Sequence, residues 1–222
     1  MDGIIFDIDG TLWDSTESVA KAWNRAIMEQ ENLDLHLTGE KLMPLFGKTM
    51  DEIEAALFPD FSQEKRDKLG NACYEYENTF LYEEPGILFP HVKETFQLLS
   101  QSYDLYIVSN CQCGYIEAFL ETTGLQTYVK DSLCFGQTHL PKGKTIRMLM
   151  DTNHLQDVVY IGDTQGDYDA CQMANVPFIY ASYGFGQAPE ADCSIQGLDE
   201  LPLLLKNRNK NQEGVFSHTY GK

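Results

Sequence analysis

The sequence predicts an α/β fold, in which a parallel sheet is covered by helices on both faces and a helical subdomain is inserted. Short apolar runs rich in Ile, Val, Phe and Tyr alternate with segments of helical periodicity, a pattern typical of buried parallel strands. One section, 15–84, shows helical periodicity alone. It is too long for an ordinary connection between two strands, which indicates an insertion.

The apolar runs predict strands over 3–8, 105–108, 158–161 and 177–180, and helices are expected over 114–123, 144–151 and 167–174. The resulting core is three-layered and Rossmann-like. We therefore divide the chain into a core of residues 1–14 and 85–205, a helical cap of residues 15–84 and a polar C-terminal tail of residues 206–222. In such sheets the functional groups gather at the carboxyl ends of the strands.

The composition excludes several classes of function. The 222 residues carry a net charge of −18 and are 43% hydrophobic, which is typical of a globular protein and unfavourable for nucleic acid or an anionic membrane as partner. The longest apolar run is too short to cross a bilayer. The N-terminus lacks the pattern of a secretory leader and the six cysteines are sparse, so we expect a cytoplasmic protein. Monomer and dimer both remain open.

Carboxylates follow two of the predicted strands. Asp7 and Asp9 end the first strand at i, i+2 spacing, which places both side chains on one side of an extended chain, and Gly10 permits a sharp turn after them. Asp163 follows the strand over 158–161 after Gly162, and Asp167 lies near the start of the next helix. An Asp-Gly turn and a helix-dipole role would explain Gly10 and Asp167, but they give no reason for Asp163.

Two weaker signals accompany the carboxylates. Ser109 and Asn110 follow the strand over 105–108, where a hydroxyl, an amide and main-chain N–H groups can face an anion. Lys142 and Lys144 lie in a loop before a predicted helix, and the spacing to Asp163 favours Lys142 over Lys144. Each signal alone is typical of an ordinary turn or a surface lysine.

The combination indicates a cation site. A parallel sheet would bring these acidic strand ends into one cleft, where several carboxylates cannot be buried together without compensating charge. A hard divalent cation with oxygen ligands supplies that charge, and Mg²⁺ suits a site completed by water and a substrate phosphate.

These residues resemble the motifs of the haloacid dehalogenase-like (HAD) superfamily. Asp7-Ile8-Asp9-Gly10-Thr11 matches its D-x-D-G-T motif, and Ser109, a loop lysine and Gly162-Asp163-x-x-x-Asp167 match the other three in the same order. The resemblance covers nearly the whole chain. A helical cap after the first motif is similar to that of the phosphoglycolate phosphatase and β-phosphoglucomutase branch. Relatives often carry Lys-Pro at the lysine motif, whereas this chain has Pro141-Lys142-Gly143-Lys144.

The resemblance implies a Mg²⁺-dependent phosphatase acting on a small phosphorylated metabolite through an aspartyl-phosphate. Asp7 would be the nucleophile and Asp9 the general acid and base. Asp7, the main-chain carbonyl of Asp9 and Asp163 would hold the metal, with Asp167 supporting them from the outer shell. Phosphate oxygens would be bound by Ser109, Asn110 and Lys142. Lys48, in the Phe46-Gly47-Lys48-Thr49 loop of the cap, is a candidate for substrate choice, or else an exposed lysine in an interhelix turn.

Two alternatives remain open at this point. A β-phosphoglucomutase-like phosphosugar mutase would use the same core and return the phosphoryl group to a sugar. From a different class, a phospho-acceptor regulatory domain also combines a parallel sheet with an acidic Mg²⁺ site. The helical insertion and Asp9-Gly10-Thr11 argue against the regulatory domain.

Overall fold

The computed structural model describes residues 1–207, which form a parallel sheet between two helical layers together with a block of helices inserted after the first strand. In chain order the strands are β1 (Gly3–Phe6), β2 (Trp13–Asp14), β3 (Ile87–Leu88), β4 (Asp104–Ser109), β5 (Val129–Cys134), β6 (Val158–Gly162), β7 (Phe178–Ala181) and β8 (Ser194–Ile195). Six of them pair in the order β5-β4-β1-β6-β7-β8, and every pairing in this sheet is parallel.

The helices fall into two groups. Those of the inserted block are α1 (Thr16–Glu31), α2 (Gly39–Leu42), α3 (Met50–Leu57) and α4 (Gln63–Glu83). Those that cover the sheet are α5 (Val92–Leu99), α6 (Tyr115–Thr123), α7 (Phe135–Thr138), α8 (Lys142–Thr152) and α9 (Gln165–Ala174). Short 3₁₀ turns lie at Met43–Leu45 and Leu198–Glu200, and a helical stretch over 201–207 ends the described chain.

The core explains why the strands are apolar along their whole length. Ile4 and Phe6 of β1 pack into one cluster together with Phe96 of α5, while Ile5 faces a second cluster together with Ile146 of α8. Both faces of the central strand are therefore buried. Because side chains alternate along a strand, only a continuous apolar run satisfies two covered faces.

The inserted helices have an apolar cluster of their own. Val19 and Trp23 of α1 pack with Leu69 and Phe80 of α4, and all four side chains are buried. At the two ends of this segment β2 and β3 form a small antiparallel pair, so the chain enters and leaves the helical block at one place.

The predicted fold class is confirmed, and four strands of the sheet were anticipated with boundaries shifted by one or two residues. The sequence analysis missed β5 and β8 of the sheet, as well as the small pair of β2 and β3. In β5, Lys130, Asp131 and Ser132 interrupt the apolar pattern at the sheet edge. Of the predicted polar tail over 206–222, residues 206 and 207 are helical and the rest lies outside the described residues. Within residues 1–207, no helix is both long and apolar enough to cross a bilayer.

Candidate active site

The sheet register places three predicted site residues at neighbouring strand ends. Phe6 of β1 is level with Ile107 of β4 and with Ile161 of β6. Asp7, the first residue after β1, therefore lies between two neighbouring strand ends. On one side β4 ends at Ser109, and on the other β6 is followed by Asp163. All three side chains are buried. The parallel topology, rather than any local sequence contact, brings them together.

Lys142 joins this group from the first turn of α8. Its Nζ lies 2.6 Å from Asp167 Oδ1 and 3.1 Å from Asp7 Oδ1, and the lysine is 6% exposed. Burial opposes the charged ammonium, but Asp167 and Asp7 outweigh it and raise the Lys142 pKa. Burial raises the pKa of Asp7, and Lys142 opposes that shift. Lys144, two residues along the helix, is exposed.

Asp163 is fixed by two main-chain groups of a later turn. Its Oδ2 accepts hydrogen bonds from the N–H groups of Phe185, at 2.8 Å, and Gly186, at 3.2 Å, while Thr11 Oγ1 donates to Oδ1 at 3.2 Å. Burial and, after it, the neighbouring Asp167 charge raise the pKa of Asp163 to about 7. Such a carboxyl needs a nearby positive charge to stay fully ionised at neutral pH.

Asp167 has two functions in the structure. At the third position of α9 its Oδ2 accepts hydrogen bonds from Thr164 N, at 3.0 Å, and Thr164 Oγ1, at 2.7 Å, as part of a capping box. Its Oδ1 binds Lys142 and lies 3.4 Å from the donor Tyr160 Oη. Helix capping and orientation of the lysine are thus served by different oxygens of one carboxylate.

A divalent cation fits the acidic cluster. Asp7, Asp163 and Asp167 each present one carboxylate oxygen, and these oxygens lie within 4.8 Å of one another. Asp7 Oδ1 has its ion pair with Lys142 but no hydrogen bond. Three buried carboxylates against one ammonium leave an excess of negative charge, which oxygen-liganded Mg²⁺ would balance.

The Asp9 side chain points to a different set of partners. Its Oδ1 accepts hydrogen bonds from Trp13 Nε1 at 3.0 Å, Ser15 Oγ at 2.8 Å and Tyr115 Oη at 2.6 Å. Burial raises the Asp9 pKa to about 6, although these three hydrogen bonds act in the opposite direction. The Asp9 carboxylate is not part of the group of three acids that could hold a cation.

The remaining predicted residues line a cleft between the sheet and the helical block. Ser109 and Asn110 form its floor together with Asp7 and Asp9, and Lys48 is exposed at its mouth. Asn110 Nδ2 donates to the carbonyl oxygen of Gly47 at 2.9 Å, which joins the floor to the loop that carries Lys48.

The residues that hold the acids in place were not predicted from the sequence. Tyr115 lies 106 positions from Asp9, and nothing in the local sequence indicates their contact. The turn over 183–186, whose N–H groups at Phe185 and Gly186 bind Asp163, is a second such feature. Its main chain approaches Asp163 so closely that a Cβ on Gly184 would lie 2.3 Å from the Asp163 Cβ, which explains why glycine stands there.

Comparison with known proteins identifies the family. The model of haloacid dehalogenase-like hydrolases matches residues 4–181, most of the chain. The chain belongs to this family. The match confirms the predicted superfamily.

Curated HAD relatives extend over almost the same length. A phosphoglycolate phosphatase of Yersinia pestis is 26% identical over 228 residues, covering 95% of this chain and 96% of that protein. One of Escherichia coli (strain K12) is 24% identical over 245 residues, covering 95% of both. These relatives support the predicted phosphoglycolate phosphatase-like branch and a HAD hydrolase of the phosphatase type.

Solved HAD structures share the fold. A predicted phosphoglycolate phosphatase of Haemophilus somnus 129PT superposes with a TM-score of 0.79 at 20% identity, covering 92% of this chain and 98% of that one. A haloacid dehalogenase-like hydrolase of Bacteroides fragilis gives 0.77 at 21% identity, covering 89% and 98%. At this identity the likeness concerns the fold, including the inserted helices.

Proposed function

We propose that this HAD hydrolase is a Mg²⁺-dependent phosphatase that cleaves a small phosphomonoester through an aspartyl-phosphate. The observation that carries the proposal is the placement of Asp7, at a buried strand end, beside Lys142 and the two further carboxylates of Asp163 and Asp167. A nucleophile that lines the cleft thereby lies beside a fixed positive charge and a candidate cation site, the combination that phosphoryl transfer requires.

In the first step an Asp7 carboxylate oxygen attacks the phosphorus, and the bond from phosphorus to the leaving oxygen breaks. Asp9 donates its proton to that oxygen, so the alcohol leaves neutral. In the second step Asp9 accepts a proton from water, whose oxygen attacks the phosphorus and releases Asp7 and inorganic phosphate. With a pKa of about 6, Asp9 can both give and take a proton near neutrality.

The other site residues bind and orient. Ser109 and Asn110 line the cleft together with Asp7, and their side chains would donate hydrogen bonds to phosphate oxygens. Lys142, which is bound by Asp167 and lies 3.1 Å from Asp7 Oδ1, would direct its ammonium to the transferring group. Bound Mg²⁺, held by Asp7, Asp163 and the Asp9 main chain, would supply positive charge for the phosphate and for the Asp7 carboxylate. Asp167 would support these metal ligands from the outer shell by binding Lys142.

We assign residues 15–84 as a cap that excludes water and selects the leaving group. In the structure this block touches the core loop after β4, where Asn110 donates to Gly47 O and Gln112 Nε2 donates to Asn78 Oδ1 at 3.1 Å. The net charge of −18 repels phosphate esters, although salt screens this repulsion beyond roughly 8–10 Å. Substrate capture therefore depends on local positive charge and on closure of the cap.

The test is phosphate release from 4-nitrophenyl phosphate and from a panel of metabolites that includes 2-phosphoglycolate, the substrate named for the curated relatives. We expect turnover with Mg²⁺, loss of turnover in EDTA and recovery when Mg²⁺ is restored. Asp7→Asn is the blank and should be inactive. Full activity in EDTA would contradict the metal site. Isomerisation that needs a bisphosphate activator would indicate a mutase, and a long-lived phosphoenzyme without turnover a regulatory domain.

A further inference from the structure

The catalytic cleft continues from Asp7 and Asp9 into the cap, where its wall is mostly apolar. Side chains of α1, α2, α3 and the connection between α2 and α3 supply this wall, among them Val19, Trp23, Leu42, Phe46, Met50 and Ile53. A leaving group that enters this part of the cleft exchanges water for hydrocarbon. Such a wall favours an apolar body on the substrate.

One polar group interrupts the apolar wall. Glu77 of α4 lines the cleft and is 3% exposed. Its Oε2 accepts a hydrogen bond from Trp23 Nε1, and its Oε1 accepts one from Gln112 Nε2 at 3.1 Å. Burial raises the Glu77 pKa to about 8, against the opposing effect of these two hydrogen bonds.

A protonated Glu77 has one hydrogen more than its partners use. Trp23 Nε1 can only donate, and the Gln112 nitrogen also donates to this carboxyl. The carboxyl hydrogen therefore lacks an acceptor in this pair, while the cleft lies beside it. An oxygen of a bound leaving group would supply that acceptor and complete the hydrogen bonding of a buried polar group.

The apolar part of the cleft offers no compensating positive charge to an acidic leaving group. Among the described residues that line the cleft, Asp7 and Asp9 are acids, burial favours the neutral form of Glu77, and Lys48 is the one lysine or arginine. Lys48 is exposed at the mouth, so its charge is largely solvated. A substrate carboxylate carried into the apolar part would be desolvated there without a buried cation to pair with it.

We propose that Glu77, held by Trp23 and Gln112, is a specificity residue that binds a hydroxyl group of an uncharged, partly apolar leaving group. This inference rests on the proposed phosphatase function and narrows its substrates to neutral hydroxyl-bearing phosphomonoesters, at the expense of carboxylate-bearing ones. Glu77 contacts the leaving group and takes no part in the transfer of the phosphoryl group.

A purely structural role for Glu77 makes a different prediction. Glu77 and Asn78 both contact the core loop, since Gln112 Nε2 donates to both side chains and Asn78 Nδ2 donates to Cys113 O at 2.7 Å. If Glu77 only fastens the cap to this loop, its replacement alters the turnover of every substrate by the same factor. A specificity residue instead changes the ratios between substrates.

The experiment compares three esters of equal chain length with Mg²⁺: butyl phosphate, 4-hydroxybutyl phosphate and 3-carboxypropyl phosphate. They differ only at the end remote from phosphorus. For the parent protein we expect kcat/KM to be highest for the hydroxyl ester, about tenfold lower for the methyl-terminated ester and lowest for the carboxylate ester. In Glu77→Leu the hydroxyl and methyl esters should become equal within about twofold.

Two further variants complete the set. Glu77→Gln keeps both a donor and an acceptor and should retain the preference for the hydroxyl ester, which maintains the test should Glu77→Leu fail to fold. Glu75→Gln makes the same chemical change at an exposed position of α4 and should behave as the parent.

Equal kcat/KM values for the three esters in the parent protein, or a uniform loss in Glu77→Leu, would overturn the inference. In either case hydrolysis of 4-nitrophenyl phosphate would show that the phosphatase function itself stands. If none of the four esters is hydrolysed, the inference is rejected, and the proposed function is rejected with it when the metabolite panel also releases no phosphate.

Discussion

Tyr115, at the start of α6, donates its phenolic hydrogen to Asp9 Oδ1 at 2.6 Å, although the two residues are 106 positions apart. Both side chains are buried, and Ser15 Oγ lies 2.8 Å from each of them. Since the donors share Oδ1, the other oxygen of Asp9 is the one available for proton transfer. The contact therefore orients the proposed general acid.

Removal of this hydrogen bond should slow catalysis with little effect on substrate binding. For Tyr115→Phe we expect kcat to fall about tenfold, because Asp9 loses one of the groups that fix its orientation, while KM stays within about twofold. Steady-state kinetics with 4-nitrophenyl phosphate measure both constants. Tyr82→Phe, which alters an exposed tyrosine, is the matched control. A rise in KM at unchanged kcat would contradict the positioning role.

The sequence predicted those parts of the fold and the site that depend on continuous local patterns. Strands such as β1 and β6 are buried on both faces and therefore appear as unbroken apolar runs. The convergence of Asp7 and Asp163 follows from parallel topology, because each is the residue after such a strand.

The same patterns gave no indication of Tyr115 or of the turn that holds Asp163. Tyr115 reaches Asp9 only through the packing of α6 against β2, where its ring meets Trp13 edge-on at a centroid distance of 5.7 Å. Phe185 and Gly186 bind Asp163 through main-chain N–H groups, which every residue except proline carries. Contacts of these two kinds leave no signature in a single sequence.

The two lysines at the start of α8 provide a matched pair. Lys142→Met removes the ammonium that lies between Asp7 and Asp167, so we expect phosphate release to fall roughly 10²–10³-fold. Lys144→Met removes an exposed charge one position beyond Gly143 and should leave the rate within about twofold. The same 4-nitrophenyl phosphate assay serves for both variants. Comparable losses in the two would refute the assignment of Lys142.

Lys142→Met and Lys144→Met should also differ in their free energy of unfolding. Loss of Lys142 leaves two buried carboxylates without their shared counter-ion, and we expect the free energy of unfolding to fall by about 3 kcal/mol or more at neutral pH. For Lys144→Met the change should stay within about 0.5 kcal/mol. Urea titration followed by circular dichroism gives both values.

Lys48 tests whether the cap loop contacts the substrate. It is exposed at the mouth of the cleft, and the preceding Gly47 is bound through its carbonyl to Asn110 of the core. If its charge helps to capture the phosphate ester, Lys48→Ala should raise KM about threefold at unchanged kcat, and more so at low ionic strength. Lys68→Ala, at an exposed position of α4, is the control. Unchanged kinetics would make Lys48 an ordinary surface lysine.

Glu54 should make the helical block less stable as pH rises. This α3 residue is 5% exposed, its Oε2 has no hydrogen-bond partner among the described residues, and its carboxylate packs against Gly70 of α4. Burial raises its pKa from 4.5 to about 7, with Asp67 and Asp51 adding to the shift and Tyr74 and Arg66 opposing it.

A folded-state pKa above the unfolded value means that the folded protein binds the proton more tightly. The stabilisation is complete below about pH 4.5 and is lost as pH rises through about 7. Glu54→Gln stays neutral throughout, so its free energy of unfolding relative to the parent should increase by about 2–3 kcal/mol between pH 5 and pH 8. Urea unfolding at the two pH values measures the change, with Glu75→Gln as the exposed control on α4. A difference between variant and parent that is the same at both pH values would show that Glu54 does not titrate in this range.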